Sequence, residues 1–90
     1  MGAVAETIRN KLSAAFSPAR LEVMDDSDKH AGHAGHRKGG ESHFTVVIEA
    51  TAFQGVARLQ RQRKVYGVLA EELAGPIHAL SVKAIAPGEG

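Results

Sequence analysis

Between residues 42 and 50 the chain reads SHFTVVIEA, and the alternation there is strict. Phe44, Val46, Ile48 and Ala50 fall on one side, and His43, Thr45, Val47 and Glu49 on the other. Side chains of a strand alternate between its faces, so this segment is a strand with one dry face and one mixed face. Such a strand needs a layer packed on its apolar side, which confines the fold to a sheet covered by helices. The remaining patterns supply that layer. Val4, Ile8, Leu12, Ala15 and Phe16 recur at helical spacing, which predicts an amphipathic helix over roughly residues 3–16, ended by Ser17-Pro18. LEVMD at 21–25 predicts a short strand with Leu21 and Val23 inward. After a turn in which Gly55 is free to take a positive φ, a second helix is expected over about 56–73. Leu59, Tyr66, Leu69, Ala70 and Leu73 would form its buried stripe. Gly67 inside that helix costs about 1 kcal/mol relative to alanine unless a close helix–sheet contact requires it. Gly75-Pro76 ends the helix, and residues 77–86 form a third strand with Leu80, Val82 and Ala84 on one face.

The order is α-β-β-α-β. Strands one and two can pair antiparallel across their loop. Strands two and three, joined by a helix, must be parallel and right-handed if adjacent. The expected architecture is a two-layer α+β domain, a mixed three-stranded sheet with helices on one face. Ninety residues allow one such core and not two. No run approaches 18 apolar residues and the N-terminus has no signal-peptide pattern, so a cytoplasmic domain without a membrane span is expected. The absence of cysteine excludes disulfides, thiolate ligands in cis and a Cys nucleophile. A net charge of +1 argues against nucleic-acid binding by bulk electrostatics. Residues 26–41, DSDKHAGHAGHRKGGE, are polar and glycine-rich without periodicity, which is a long loop for so small a domain. A flexible loop over about 27–41 and a frayed tail over 87–90 are expected.

Three groups of residues carry chemistry. His30, His33 and His36 stand three apart among small residues, where neutral imidazoles can ligate zinc, iron or copper. A solvated loop that binds metal weakly explains the same spacing, because a metal site needs a fixed outer shell. His78 opens the third strand with the parity of Leu80, which puts it at the rim of the core. A half-buried histidine bonded to a backbone carbonyl is the plain alternative there, and His43 reads likewise as structural or exposed. Arg58, Arg61, Arg63 and Lys64 cluster in RLQRQRK. Arg61 and Lys64 share a helix flank with Val68, a basic face suited to phosphates, to an acidic partner or simply to water. Asp25, Asp26 and Asp28 fit solvated turn chemistry. No nucleophile stands beside a base and no phosphate-binding glycine loop or HExxH occurs, so an enzyme is not expected.

LEVMDDSDKHAGH, ESHFTVVIEATAFQGVARLQRQRKVYGVLAEEL and GPIHALSVKAIAP, taken in order, closely resemble the BolA-like family over about residues 5–87. The most specific pieces are Ser42-His43-Phe44, Phe53-x-Gly55, Arg61-x-Arg63-x-Val65-Tyr66 and His78-Ala79-Leu80. The resemblance implies a type-II KH-like fold and a non-enzymatic partnership with a monothiol glutaredoxin through a shared [2Fe–2S] cluster. The glutaredoxin cysteine and a glutathione thiolate would supply two ligands. His78 would supply a third, and His30 in the long loop a fourth, with His33 in reserve. A cysteine-free chain looks like the family's histidine subgroup. The resemblance thus implies iron–sulfur trafficking or iron regulation, no cluster in the isolated chain, and a free monomer or weak homodimer. It also implies a second reading, a DNA-binding transcriptional regulator that uses the basic helix around Arg58, Arg61, Arg63 and Lys64. Gln62 stands where many members carry histidine between the two arginines.

Overall fold

The computed structural model describes residues 2–26 and 43–89. The elements are α1 (Ala3–Phe16), β1 (Arg20–Asp25), β2 (His43–Glu49), a 3₁₀ turn (Thr51–Phe53), α2 (Arg58–Val68), α3 (Ala70–Ala74) and β3 (Ala79–Ile85). The sheet order is β1-β2-β3. β1 runs antiparallel to β2, with Leu21 opposite Ile48 and Val23 opposite Val46. β2 runs parallel to β3, with Phe44 opposite Leu80 and Val46 opposite Val82. The expected α+β architecture is the observed one.

The dry face of β2 is the centre of the core. Phe44, Val46, Ile48 and Ala50 are buried against Ile8 and Leu12 of α1 and Val65 of α2, together with Leu69, which follows α2. Phe53 of the 3₁₀ turn is fully buried and lies tilted against Phe16, ring centres 5.0 Å apart. This aromatic pair fixes the end of α1 over the turn that leads into α2. Ser17 ends α1 by taking left-handed φ of 45°, its N–H donating to the Ser13 carbonyl 3.0 Å away. Lys11 reaches from α1 to Glu71 and Glu72 of α3 at 2.9 and 2.8 Å. Both carboxylates hold the Lys11 ammonium above its ordinary pKa, and Lys11 in turn lowers that of Glu71.

Two expectations need correction. The single helix over 56–73 is two helices that turn at Leu69, whose φ and ψ of −102° and 22° leave the helical region. The turn drops the Leu69 side chain completely into the core. Second, the buried stripe is the expected one only at its far end, where Leu69 is buried and Leu73 packs against the core. Arg61, Val65 and Leu69 face inward at i, i+4 and i+8, while Leu59 is 58% exposed and Tyr66 37% exposed. A stripe that begins with arginine is invisible to a count of apolar residues. Residues 87–89 form a turn. Gly88 adopts φ of 90° in a turn that returns Glu89 to the domain. Gly67 meets no close contact, for a Cβ placed there would have nothing within 4 Å.

Candidate functional site

β3 begins where the chain leaves α3. The Ile77 N–H donates to the Glu72 carbonyl at 3.0 Å, and the Ile77 side chain is buried. Those two anchors fix the backbone just before His78, and the pairing of Ala79 with β2 fixes it just after, while the His78 side chain is exposed at the sheet rim. Across the rim, β2 starts at His43, which pairs with Ala79. The imidazoles of His43 and His78 are 6.4 Å apart, centre to centre, with planes 14° from parallel. The Asp26 N–H donates to the His43 carbonyl at 2.7 Å, which closes the last rung between β1 and β2. The Thr45 hydroxyl also donates to the Asp26 carboxylate. The segment 27–42 therefore leaves and re-enters the domain beside these two histidines. His30, His33 and His36 lie outside the described residues, as does the loop expected over 27–41. Among the described residues, no group of three or more His, Cys, Asp or Glu could hold a metal ion. A metal centre at this rim thus needs ligands from beyond the described residues.

The basic helix is divided by the structure. Arg58, Arg63 and Lys64 are exposed, but Arg61 is 8% exposed and is turned inward, against the expectation that it lies on the flank with Lys64. Its Nε donates to the Val56 carbonyl at 2.7 Å and its Nη1 to the Ala84 carbonyl at 3.1 Å. Nη1 and Nη2 also grip the two carboxylate oxygens of Glu89 at 2.6 and 2.8 Å. The Ala86 N–H donates to the same carboxylate at 2.9 Å. The Arg61 fork, then the Ala86 N–H, hold Glu89 down at a pKa of about 2, and Glu89 raises that of Arg61.

The same arrangement protects one of the sheet's two edges, that of β3. Ile85 offers its carbonyl inward, to the Ala50 N–H at 3.0 Å. The backbone groups of Leu80, Val82 and Ala84 therefore point outward. Two side chains of α2 cap that edge. The Tyr66 hydroxyl donates to the Leu80 carbonyl at 3.1 Å, and Arg61 covers Ala84. Neither role was foreseen from sequence, and Glu89 had no reading at all. The four-residue spacing of Arg61, Val65 and Leu69 was the available signal for Arg61.

A family model for BolA-like proteins matches residues 12–89. The chain is 47% identical over 85 residues to an uncharacterized protein in the cobS 5′ region of Sinorhizobium sp., covering 93% of this chain and 91% of that one. It is 43% identical to human BolA-like protein 1 over 99% of this chain and 62% of that protein, so it spans about three fifths of that relative's length. It is 46% identical to the DNA-binding transcriptional regulator BolA of Escherichia coli, over 88% of this chain and 71% of that one. Among solved structures, the BolA domain of SufE1 from Arabidopsis thaliana superposes with a TM-score of 0.88 at 41% identity, covering 100% of this chain and 99% of that one.

Proposed function

The chain belongs to the BolA-like family, and from that premise we propose that it is a non-enzymatic partner of a monothiol glutaredoxin. In this reading His78 is one protein ligand to a [2Fe–2S] cluster held jointly with the partner's cysteine and glutathione. His30 is the second, with His33 in reserve, and the setting is cytoplasmic iron–sulfur trafficking or iron regulation. The observation that carries the reading is the rim itself. His78 is exposed between anchored backbone positions, beside the point where the loop that bears His30 and His33 joins the sheet.

The donor set fits a shared centre. Imidazole nitrogen is a suitable ligand for an iron of such a cluster, and the chain brings no thiolate of its own. When bound, the cluster supplies one-electron chemistry and a spectroscopic signature that responds to its ligands. What the chain contributes is an imidazole beside an anchored strand start, and because a ring nitrogen ligates only when unprotonated, acid weakens the complex. The test is anaerobic reconstitution with a monothiol glutaredoxin and glutathione, read by visible absorption and circular dichroism. A spectrum that changes on adding the wild-type chain and reverts with His78→Ala supports the proposal. A spectrum indifferent to the wild-type chain overturns it. His30→Ala and His33→Ala then identify the loop ligand.

A second reading, DNA-binding regulation, is favoured by the name of the Escherichia coli relative and by the exposed Arg58, Arg63 and Lys64. Arg61 would contribute no phosphate contact, because its guanidinium is already committed to Glu89 and two carbonyls. Under this reading Arg63→Ala weakens DNA binding and reduces its salt slope, whereas His78→Ala leaves both unchanged.

A further inference from the structure

A groove of about 550 Å³ runs between α2 and the second half of β3, at the opposite end of that strand from His78. Its floor is residues 82–85, and Arg58, Arg61 and Lys83 put three cations in its lining. One acidic side chain enters it, Glu89. We propose that this groove is a docking site for an acidic, extended segment of a protein partner, and that Glu89 occupies it in the free chain as a tethered stand-in.

The reasoning starts from the shape of the recognition. Glu89 is held as a carboxylate, by two parallel N–H bonds from Arg61 and a third from the Ala86 backbone. That planar, bidentate arrangement selects a carboxylate and gives Arg61 a specificity that a point charge lacks. One carboxylate does not neutralise the groove. Arg58 and Lys83 line it without an ion pair to any described residue. The groove therefore carries more positive charge than its resident can match, which a segment with several acidic side chains would satisfy. Its floor is a strand, a surface along which an extended chain can lie. Glu89 follows β3 on a turn with its own backbone bond, from the Glu89 N–H to the Ala86 carbonyl at 3.1 Å, so its side chain can leave without breaking a rung of the sheet. A partner must displace it, and its apparent affinity falls by the fraction of molecules in which the groove is free.

The experiment is a fluorescence-anisotropy titration of labelled polyglutamate against wild type and Glu89→Gln at low salt, with labelled oligothymidine as the second probe. If Glu89 closes the groove in about nine of ten molecules, Glu89→Gln binds polyglutamate roughly tenfold more tightly. Adding Arg58→Ala or Lys83→Ala to Glu89→Gln should remove most of that gain. Equal affinity of wild type and Glu89→Gln overturns the proposal, as does a gain that survives loss of both groove cations. A gain for oligothymidine without one for polyglutamate overturns the assigned partner in favour of a nucleic acid. Should Glu89→Gln fail to fold, the guanidinium NMR signal of Arg61 in wild type decides the matter. Movement of that signal on adding polyglutamate supports displacement of Glu89, and an unmoved signal refutes it.

Discussion

Leu69→Ala and Leu59→Ala make the same chemical change in one helical segment, and the structure separates them. Leu69 is fully buried and Leu59 is 58% exposed. Truncating Leu69 removes three carbons from the core, about 2.4 kcal/mol of transfer free energy at ~0.8 per carbon. The residual cavity adds to this, so the total falls at roughly 3–4 kcal/mol, inside the range known for buried leucines. A domain of this size is stable by about 5–13 kcal/mol, so the loss is a large share. It corresponds to a fall in Tm of roughly 12–30 °C. Truncating Leu59 removes mostly wet surface from a helix and gains alanine's better propensity, which leaves a net cost of about 0.5–1 kcal/mol or less. Urea unfolding at equal m-value is the assay, and the two midpoints should differ by at least 1 M. Equal costs would restore the stripe read from apolar residues alone. A larger cost at Leu59 would mean that the observed rotation of α2 is wrong.

Gly67→Ala should stabilise the domain by about 0.5–1 kcal/mol, because the glycine sits in a helix with nothing near its missing Cβ; thermal melting checks it, and a destabilised variant would show an unseen contact. Glu89 has a folded pKa of about 2 against an ordinary 4.5. Its contribution is therefore fully present above pH 4.5 and is lost as pH falls from there toward 2. Wild type minus Glu89→Gln should show a stability difference that is flat at neutral pH and closes across that window; a difference independent of pH would refute the carboxylate's role. His78→Ala should leave the fold almost untouched, within ~0.5 kcal/mol by urea unfolding, since the side chain is exposed. A large loss there would make His78 a structural residue.

The sheet was legible because its signals are local. Phe44, Val46, Ile48 and Ala50 alternate without exception, and every one is buried. α1 is equally plain, since Ile8 and Leu12 project from a helix whose stop is written as Ser17-Pro18. α2 was legible as a helix but not in its rotation. Its apolar residues are few, and the inward position that sets the phase is an arginine whose charge is satisfied by partners 5 to 28 positions away. Periodicity cannot register such compensation, because it lies in tertiary contacts. The break at Leu69 was hidden for a related reason. Good helix formers continue past it, and the i to i−4 bonds run on through it, so nothing local marks the change of backbone. At the candidate site, His78 is exposed just before the third strand and lies beside His43. Its proximity to His43 depends on the parallel register of β2 and β3, which no local pattern specifies.

β3 is one of the two edges of the sheet, with β1 the other. A free edge of seven residues invites indiscriminate strand addition. Tyr66 and Arg61 close that route by occupying the outward carbonyls of Leu80 and Ala84, one from each end of α2's reach along the strand. This gives a physical reason for an arginine in a core position and a tyrosine left 37% exposed, two choices that weaken the helix's own amphipathic pattern. With the edge capped, what β3 offers a partner is confined to its two ends. One end carries the exposed imidazole of His78, and the other the cationic groove filled by Glu89. The two groups lie at opposite ends of β3 and have different neighbours, His43 at one and Arg61 with Ala84 at the other, so a change at one end can be made without disturbing the other. Substitutions at His78 and at Glu89 should therefore be additive in stability, and any coupling between them in partner binding must run through the partner.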